Sequence, residues 1–380
     1  MIRAKLVETD IKLHELLPAT LSGLRGDGVA LFEERLRELS GLSGAVVFGS
    51  ASAALVAALK VLKETSPGKD EVIIPAYTPD RLYIAAKQAG LKPVLSDIEL
   101  SDFGFSQESF AERVNGKTLA AITVRLFGLE NSFSASACGV SVIEDNAQGF
   151  ISPLKGAIEV ISFNRGKNFP LMGGGALLTN DAGIASRLNG ARKKLPKTGI
   201  KQNILTGSKL KALALAKYDI LYNLLLPLIS AVRENSAPVS IEEFRLSSWQ
   251  AMLGANRLAG AEDNSKRRFV TAQKYKNALG SIRGITLPEI KAGSVPNRFP
   301  ILVKDSSQIE KLCARLLKRG IESSLRFYKT IHREFPAEKF HGSFKNAEYI
   351  AEHLVALPCH PFLRDKDIYA AAEEARKCCL

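Results

Sequence analysis

The sequence predicts an α/β fold in which a mainly parallel sheet is sandwiched by helices and a smaller C-terminal α+β domain follows. Three observations carry this prediction. The chain has 380 residues, more than one core usually organises. Between residues 44 and 192, short apolar runs rich in β-forming residues alternate with helical patterns, as in a parallel sheet covered on both faces. Beyond residue 246 the alternation becomes less regular, which favours a second unit of the α+β type.

The α/β pattern begins with four strands and three helices in alternation. The predicted strands are 45–48, 72–75, 93–95 and 119–124, and the predicted helices are 52–63, 81–89 and 106–114. Three further extended runs follow at 140–144, 157–163 and 176–179. Ligands of such sheets bind at the carboxyl ends of the strands, so the residues just after each strand are the candidates for function.

A basic and apolar insertion, at about 193–240, interrupts this pattern. Eight Lys and Arg residues and no acidic residue lie between Ala191 and Tyr218, and an apolar run covers Ile220–Val232. The whole chain has 52 basic and 39 acidic residues, a net charge of +13, so this short stretch supplies +8 of the excess. Lysines beside an apolar segment are typical of peripheral membrane contact, here through 193–232. Packing of the apolar run on the protein's own core, with solvated lysines, explains the same pattern.

The remaining elements form the predicted C-terminal unit. A long helical region covers 247–279 with an interruption near Gly260, and Ser306 is a candidate N-cap for the helix that follows it. The predicted strands are 298–303 and 321–324, and the predicted helices are 306–319, 347–353 and 366–377. We therefore expect a large domain at 1–245, including the insertion, and a linking helix with a small domain at 246–380.

Composition and the chain ends exclude several classes of function. The five cysteines show no CxxC spacing and the five histidines are scattered, which argues against a metal site. Residues 1–18 lack the apolar core of a signal peptide, and the longest apolar run is too short to span a bilayer, so we expect a cytoplasmic protein. The basic cluster is not interleaved with aromatic residues, so no nucleic-acid partner is expected.

Three segments that follow strands carry candidate chemistry. Small residues at 49–52 lie where a strand turns into a helix, which suits a phosphate, although a plain N-cap has the same pattern. Asp145 follows an apolar strand and is either a functional carboxylate or a structural one. Lys167 lies in a loop that ends in three glycines, and an exposed lysine is its simpler explanation. The spacing rules out a Walker loop, because Ile161 and Asn168 occupy the positions that need Gly and Ser or Thr.

The combination of the three segments indicates pyridoxal phosphate. That cofactor needs an amine for its Schiff base, a carboxylate to keep the pyridine nitrogen protonated, and an anion site for its phosphate. Lys167, Asp145 and the 49–52 segment meet one need each.

The chain also resembles the DegT/StrS family of PLP-dependent sugar aminotransferases, which have the fold type of aspartate aminotransferase. The resemblance covers most of the chain, and its motifs occur in family order. They are SASAAL at 50–55, DEVIIPAYT at 70–78, GLKPV at 90–94, IEDNAQ at 143–148, the loop 162–175, TND at 179–181, LSSWQAMLG at 246–254, YKTIH at 328–332 and LPCHP at 357–361.

The resemblance implies a role for each matching residue. Lys167 matches the Schiff-base lysine, Asp145 the carboxylate on the pyridinium nitrogen, and Gln148 a residue against the cofactor ring. The phosphate-binding positions correspond to Ala51, Ser52 and Ser162, and substrate contact is implied for Tyr328 and His332.

Two positions depart from the family pattern. The aromatic residue that stacks on the cofactor ring is replaced by Pro79, so either Pro79 or Tyr77 is expected against the ring. An asparagine that the family lends across the dimer to the phosphate is replaced by Glu243, and Arg245 is a candidate substitute.

From the resemblance we expect a homodimeric, cytoplasmic aminotransferase. It would move an amino group from L-glutamate to a nucleotide-linked keto-sugar, for amino-sugar and surface polysaccharide biosynthesis. A PLP-dependent sugar dehydratase of the same family is the first alternative, and the intact Lys167 argues against it because dehydratases carry histidine there. A degenerate, membrane-associated homologue without catalysis is the second.

Overall fold

The structure of the chain is a computed structural model, and it describes residues 1–8, 11–25, 27–134, 139–151, 153–224, 240–325 and 327–379. Its first sheet has seven strands in the order β1-β7-β6-β5-β4-β2-β3. Strand β7 runs antiparallel to β1 and β6, and the neighbours β3, β2, β4, β5 and β6 are parallel to one another. The strands are β1 Gly44–Phe48, β2 Glu71–Pro75, β3 Lys92–Ser96, β4 Thr118–Val124, β5 Ser141–Asp145, β6 Ile158–Ser162 and β7 Gly175–Thr179.

Continuous burial explains why these strands are visible in the sequence. Every residue of β1, β2, β4, β6 and β7 is buried, as expected for strands covered by helices on both faces. The predicted α/β fold with a largely parallel sheet is confirmed, and most of the predicted strand limits agree with the structure to within one residue.

Helices cover both faces of this sheet and continue into the C-terminal part. They are α1 Leu13–Arg25, α2 Gly28–Ser40, α3 Ala51–Thr65, α4 Asp80–Gln88, α5 Gln107–Ala111, α6 Ala182–Lys194, α7 Ile200–Leu215, α8 Ser248–Arg257, α9 Ala261–Leu279, α10 Ile309–Lys318, α11 Ile331–Glu334, α12 Lys345–His353 and α13 Asp365–Cys378. The predicted interruption near Gly260 is one turn of 3₁₀ helix between α8 and α9.

A second, antiparallel sheet has four strands in the order β10-β11-β9-β8. Its strands are β8 Ile285–Thr286, β9 Arg298–Val303, β10 Ser324–Leu325 and β11 Leu354–Pro358. The first residues of the chain reach this part of the molecule, where Ala4 pairs with Ile321 and the Leu6 N–H donates to Glu322 at 2.9 Å. The proposed domain limits, 1–245 and 246–380, stay a prediction.

Two local predictions in this region need correction. The helix expected from Ser306 starts with a 3₁₀ turn, and its cap is Asp305, whose carboxylate accepts the Ser307 N–H at 3.0 Å. The strand expected at 321–324 is a single bridge at Ile321 followed by the two-residue β10.

The insertion is partly described. It contains the end of α6, α7 and a helical segment at 219–224, whereas residues 225–232 of the apolar run lie outside the described residues. Asn223 exchanges hydrogen bonds with the backbone N–H and C=O of Ile2, at 2.8 and 2.9 Å, so this part of the insertion is bound to the start of the chain. Within the described ranges, no helix is long and apolar enough to cross a membrane.

Candidate active site

The carboxyl ends of the parallel strands bring most of the sequence-predicted residues to one edge of the large sheet. Asp145 is the last residue of β5, and Ser162 is the last residue of β6. The segment 49–52 follows β1, and Tyr77 and Pro79 follow β2. Lys167 lies in the loop between β6 and β7, so the predicted amine, carboxylate and anion site share this edge.

The anion site is built where β7 passes the first turn of α3. Ser162 pairs with Gly175, and a Cβ added at Gly175 would lie 2.8 Å from the carbonyl carbon of Ser50 and closer still to the backbone of Ala51. Only glycine allows this approach. The N-cap of α3 is Ser50, whose hydroxyl accepts the Ala53 N–H at 3.0 Å.

The first-turn N–H groups of Ala51 and Ser52 have no intrahelical acceptor and lie at the positive end of the helix dipole. Such a turn favours an anion. Ser162 lies beside this turn because it pairs with Gly175, which packs on Ala51. The Ser162 hydroxyl accepts the Asn164 N–H at 3.4 Å. The three phosphate-binding residues implied by the resemblance are therefore neighbours in the structure.

Asp145 and Lys167 influence each other electrostatically. Burial raises the pKa of the Asp145 carboxyl, while the Ala147 N–H that donates to it at 2.9 Å and the charge of Lys167 act in the opposite direction. Burial lowers the pKa of Lys167 from 10.5 to about 8, with Asp145 opposing and Arg298 reinforcing the shift. The site thus holds a carboxylate that favours a cationic partner and an amine that is partly neutral near pH 7.

Gln148 is held at both ends of its amide. Its oxygen accepts the Phe127 N–H at 2.9 Å, and its nitrogen donates to the Tyr328 hydroxyl at 3.2 Å. Phe127 adopts a positive φ of 58°, a conformation that costs a bulky residue energy, in the short 3₁₀ turn that follows β4. Gln148 therefore connects the edge of the large sheet with the C-terminal part of the chain.

The two candidates for covering the cofactor ring differ in exposure. Tyr77 is 0% exposed and its ring meets Tyr328 edge-on, with the ring centroids 5.9 Å apart. Burial raises the pKa of its hydroxyl. Pro79 is the N-cap residue of α4 and remains half-buried. Because Tyr77 has no exposed surface, Pro79 is the better placed of the two to contact a ligand.

His332 is engaged elsewhere. Its Nε2 lies 3.0 Å from the Glu348 carboxylate and 3.3 Å from the Thr330 hydroxyl, and its ring stacks on Phe344. Tyr328 reaches the site through Gln148, whereas these contacts hold His332 against α12. Its implied role in substrate contact stays a prediction.

Glu243 and Arg245, where the sequence departs from the family pattern, also have partners within the chain. Glu243 forms an ion pair with Lys60 at 2.9 Å and accepts from the Gln88 amide. The Arg245 guanidinium donates to the carbonyl of Leu195 at 2.8 Å. Phe244, between them, contacts the site instead, because its carbonyl accepts the Gly49 N–H at 2.8 Å.

A buried ion network supports β5 beside Asp145. Arg125 bridges Glu130 and Glu144, and Lys155 pairs with Glu130. The Arg125 N–H also donates to the Asp145 carbonyl at 3.0 Å. The network therefore fixes the backbone that presents the Asp145 carboxylate.

Sequence analysis missed one residue of this site, Arg298. It is the first residue of β9 and belongs to the C-terminal sheet, yet its charge lowers the pKa of Lys167. An arginine at the start of a strand carries no local signal of function, and its proximity to Lys167 arises from tertiary packing alone.

The residues present fit pyridoxal phosphate. The buried Asp145 gains a cationic partner if the ring nitrogen is protonated, and the lowered pKa of Lys167 leaves its amine ready to attack the aldehyde. The turn at Ala51 and Ser52 offers N–H donors to the phosphate. Among the described residues, no group of three or more His, Cys, Asp or Glu side chains is placed to hold a metal ion.

Known proteins resemble the chain over nearly its whole length. A model of the DegT/DnrJ/EryC1/StrS aminotransferase family matches residues 8–375. A UDP-N-acetyl-3-dehydro-α-D-glucosamine 3-aminotransferase from Acidithiobacillus ferrooxidans is 28% identical, over 93% of this chain and 89% of the relative. A dTDP-3-amino-3,4,6-trideoxy-α-D-glucose transaminase from Streptomyces venezuelae is 26% identical, over 94% of this chain and 88% of the relative.

Among solved structures, the PseC aminotransferase of Helicobacter pylori has the same fold. It superimposes with a TM-score of 0.78 at 21% identity and covers 99% of both chains. A GDP-4-keto-6-deoxymannose-3-dehydratase superimposes equally well, with a TM-score of 0.78 at 19% identity over 98% of this chain and 100% of the other. At this identity the likeness concerns the fold. The family match, which covers the site residues at both ends of the chain, decides the assignment: this protein belongs to the DegT/DnrJ/EryC1/StrS aminotransferase family, and its cofactor is pyridoxal 5′-phosphate.

Proposed function

We propose that the protein transfers an amino group from L-glutamate to a keto-sugar carried by a nucleoside diphosphate, in the biosynthesis of amino sugars for surface polysaccharide. The observation that carries this proposal is the intact Lys167, with a lowered pKa, opposite the buried Asp145. Relatives that are named as acting on UDP-linked and dTDP-linked sugars support the substrate class.

The chain's own residues divide the chemistry between them. When bound, the cofactor supplies a ring that accepts the electron pair left on a carbon after a proton is removed. Asp145 stabilises the protonated ring nitrogen, which keeps the ring an effective acceptor. Once free, the Lys167 amine takes a proton from the donor carbon, and it later returns one to the sugar carbon. Ala51, Ser52 and Ser162 would hold the phosphate of the bound cofactor.

Cofactor uptake and amino transfer are measurable on the purified protein. With pyridoxal phosphate added, we expect a visible absorbance that borohydride bleaches and that L-glutamate converts. A Lys167→Ala variant should lack this absorbance, whereas Lys266→Ala, at an exposed lysine on α9, should keep it. A wild type that shows no such absorbance in excess cofactor would contradict the proposal.

Labelled glutamate separates amino transfer from dehydration. Incubation with ¹⁵N-glutamate and a panel of keto-sugar nucleotides should place the label in the sugar. A product that has lost a hydroxyl group and carries no label would identify a dehydratase instead.

We also propose a homodimer. Leu13, Leu17 and Leu21 lie four residues apart on α1 and are exposed, which favours a second copy as their cover. Light scattering after size exclusion should give twice the mass of the chain, and Leu17→Glu should shift the protein towards monomer. A monomeric wild type at high concentration would contradict this.

We also propose peripheral membrane contact through 193–232. Ile200 is 79% exposed and Ile204 is 66% exposed, and Lys201 lies between them on α7. We expect co-sedimentation with anionic liposomes at low salt if this surface binds lipid, and absence of binding there would remove the proposal. A cytoplasmic location stays a prediction from the sequence.

A further inference from the structure

Two backbone carbonyl oxygens converge beside the loop that carries Lys167. They belong to Gln148, in the turn after β5, and to Val295, in the segment before β9. A Cβ built on Gly128 would overlap the Val295 oxygen and lie 2.9 Å from the Gln148 oxygen, so both oxygens face the same position. Gly128 has a φ of 77° and leaves this position open, whereas a residue with a Cβ would fill it.

The side-chain amide of Asn168 pairs with both of these oxygens. Its Nδ2 donates to the Val295 carbonyl at 2.6 Å and to the Gln148 carbonyl at 3.3 Å. A primary amide nitrogen carries two protons and can serve two acceptors, whereas a hydroxyl supplies one proton and a carboxylate none. Two converging carbonyls therefore favour asparagine over other residues of similar size.

The oxygen of the same amide has no comparable role. Asn168 is buried, and its Oδ1 accepts no hydrogen bond from the described residues. A buried acceptor without a donor is unfavourable, so the contribution of this side chain lies in the two bonds of its nitrogen. The neighbours fix which atom is the nitrogen, because an oxygen in its place would face two carbonyl oxygens.

Asn168 joins four segments of the active site. Its backbone belongs to the loop between β6 and β7, and its two acceptors belong to the segments after β5 and before β9. The Val295 N–H in turn donates to the Gly128 carbonyl, in the turn after β4, at 2.8 Å. We call Asn168, Gln148, Val295 and Gly128 the carbonyl joint.

The carbonyl joint lies next to the reacting pair along the chain. Asp145 is the last residue of β5, shortly before Gln148, and Lys167 is directly followed by Asn168. On the other side of Lys167, the Asn297 amide donates to the Gly166 carbonyl at 3.4 Å. The position of the amine relative to the carboxylate therefore depends on these amide contacts.

We propose that Asn168 is a positioning residue for amino transfer: it holds Lys167 where its amine reaches the cofactor aldehyde and the donor carbon. Lysine has a long, flexible side chain, so the placement of its backbone decides which atoms the amine can reach. Reacting atoms must be aligned closely, and a shift of about 1 Å can slow a reaction about 100-fold. This inference rests on the proposed function, and it adds a residue that acts on the reaction through Lys167.

The test compares one substitution in the carbonyl joint with a matched control. Asn168→Leu keeps the approximate size of the side chain and removes both donor protons without adding a charge. Asn346→Ala is the control, because the Asn346 amide also donates to a backbone carbonyl, that of Ile98, at 2.8 Å. That bond joins α12 to the segment after β3 and involves neither the Lys167 loop nor the carbonyl joint. Urea unfolding gives the stability of each variant.

Two measurements follow Lys167 itself. In the cofactor-free protein, competitive labelling with acetic anhydride should reach half of its maximum at Lys167 near pH 8 in the wild type and at about pH 9 or higher in Asn168→Leu. The reason is that water entering to pair the two carbonyls also hydrates the amine and favours its charged form. With pyridoxal phosphate added, the visible absorbance should form about 10-fold more slowly in this variant.

A third measurement separates positioning from binding. With L-glutamate and a keto-sugar nucleotide, kcat should fall about 10- to 100-fold in Asn168→Leu, and the KM for glutamate should change by less than about threefold. Asn346→Ala should match the wild type in all three measurements, even where urea unfolding shows a comparable loss of stability.

The outcomes separate this inference from the proposed function. An unchanged labelling midpoint and kcat in Asn168→Leu would overturn the inference, because the amide would then serve stability alone. Equal changes in Asn346→Ala would overturn it too, since they would reflect a general loosening of the fold. A wild type that forms no absorbance with the cofactor contradicts the proposed function, while labelling of the cofactor-free proteins still tests Asn168. If Asn168→Leu does not fold, Asn168→Ala carries the same comparisons.

Discussion

The lowered pKa of Lys167 is the property of this site that a solution experiment can measure most directly. Burial shifts it from 10.5 to about 8, with the charge of Arg298 acting in the same direction. At pH 7, an amine with that pKa is about 9% neutral, whereas an unperturbed lysine is about 0.03% neutral. The neutral amine is the nucleophile, so the lowered pKa increases the neutral fraction of Lys167 about 300-fold at that pH.

Two substitutions should move this pKa in opposite directions. Arg298→Gln removes a neighbouring positive charge. This stabilises the ammonium form of Lys167, so the pKa of Lys167 should rise. Asp145→Asn removes the carboxylate that stabilises the ammonium form, so the pKa should fall. Both changes leave the burial of Lys167 in place, and burial is the larger cause of the shift.

Competitive acetylation of the cofactor-free protein measures the pKa of a single amine. The protein is treated with trace acetic anhydride between pH 6 and 10, and the modified peptides are quantified by mass spectrometry. Labelling of Lys167 should reach half of its maximum near pH 8. Lys266 is the internal control, because it is exposed and its ion pair with Glu262 raises its pKa, so its labelling should rise at higher pH.

Either of two results would refute the electrostatic reasoning. One is a midpoint for Lys167 above about pH 9.5, since burial would then not be disfavouring the charged form. The other is a shift of the Lys167 pKa in the same direction in both variants, because removing a positive neighbour and removing a negative neighbour must have opposite effects on that pKa.

Three further variants and one control test the packing around the site. Gly175→Ala forces a Cβ against the backbone of Ala51. In urea unfolding it should lower the free energy of unfolding by about 1–3 kcal/mol. In a cofactor titration it should lower the affinity for the cofactor by at least about tenfold. Gly190→Ala, in open space on α6, should raise stability by about 0.5–1 kcal/mol and serves as its control. Arg125→Met leaves the buried Glu144 without its cation and removes one of the two cations of Glu130, and it should cost about 3–5 kcal/mol in urea unfolding. Tyr328→Phe removes the acceptor of the glutamine amide and should cost about 0.5–1.5 kcal/mol without loss of the cofactor absorbance.

The large sheet was predictable because burial on both faces leaves a mark in the sequence. The strands of this sheet read as short, continuous apolar runs, and the helices α3, α4 and α5 separate the first four of them. The antiparallel direction of β7 leaves no such mark, since direction depends on which neighbour the strand finds. The two-residue strands β8 and β10 are too short for any periodicity, and α1 and α2 precede the first strand, outside the predicted alternation of strands and helices.

The candidate site was predictable where its residues follow strands. Asp145, Ser162 and Lys167 are visible because the carboxyl ends of parallel strands meet at one edge. Tyr77 also follows a strand, yet its ring turns into the core, and the strand-end rule does not specify which way a side chain faces. Arg298 is the first residue of β9 in the other sheet. It reaches the site only because the backbone just before β9 is hydrogen-bonded to the turn that follows β4.

The net charge of +13 gives little information about which anion the site binds. Eight of the excess positive charges lie between Ala191 and Tyr218, and the lysines of α7 are largely exposed, so salt and water screen them. Lys167 and Arg298 are only two cations, but they are partly desolvated, and a charge interacts more strongly where water is excluded. Their effect on each other is already visible in the lowered pKa of Lys167. We therefore expect these two cations, and not the insertion, to govern which anion binds at the site, and removing the insertion's lysines should leave that binding unchanged.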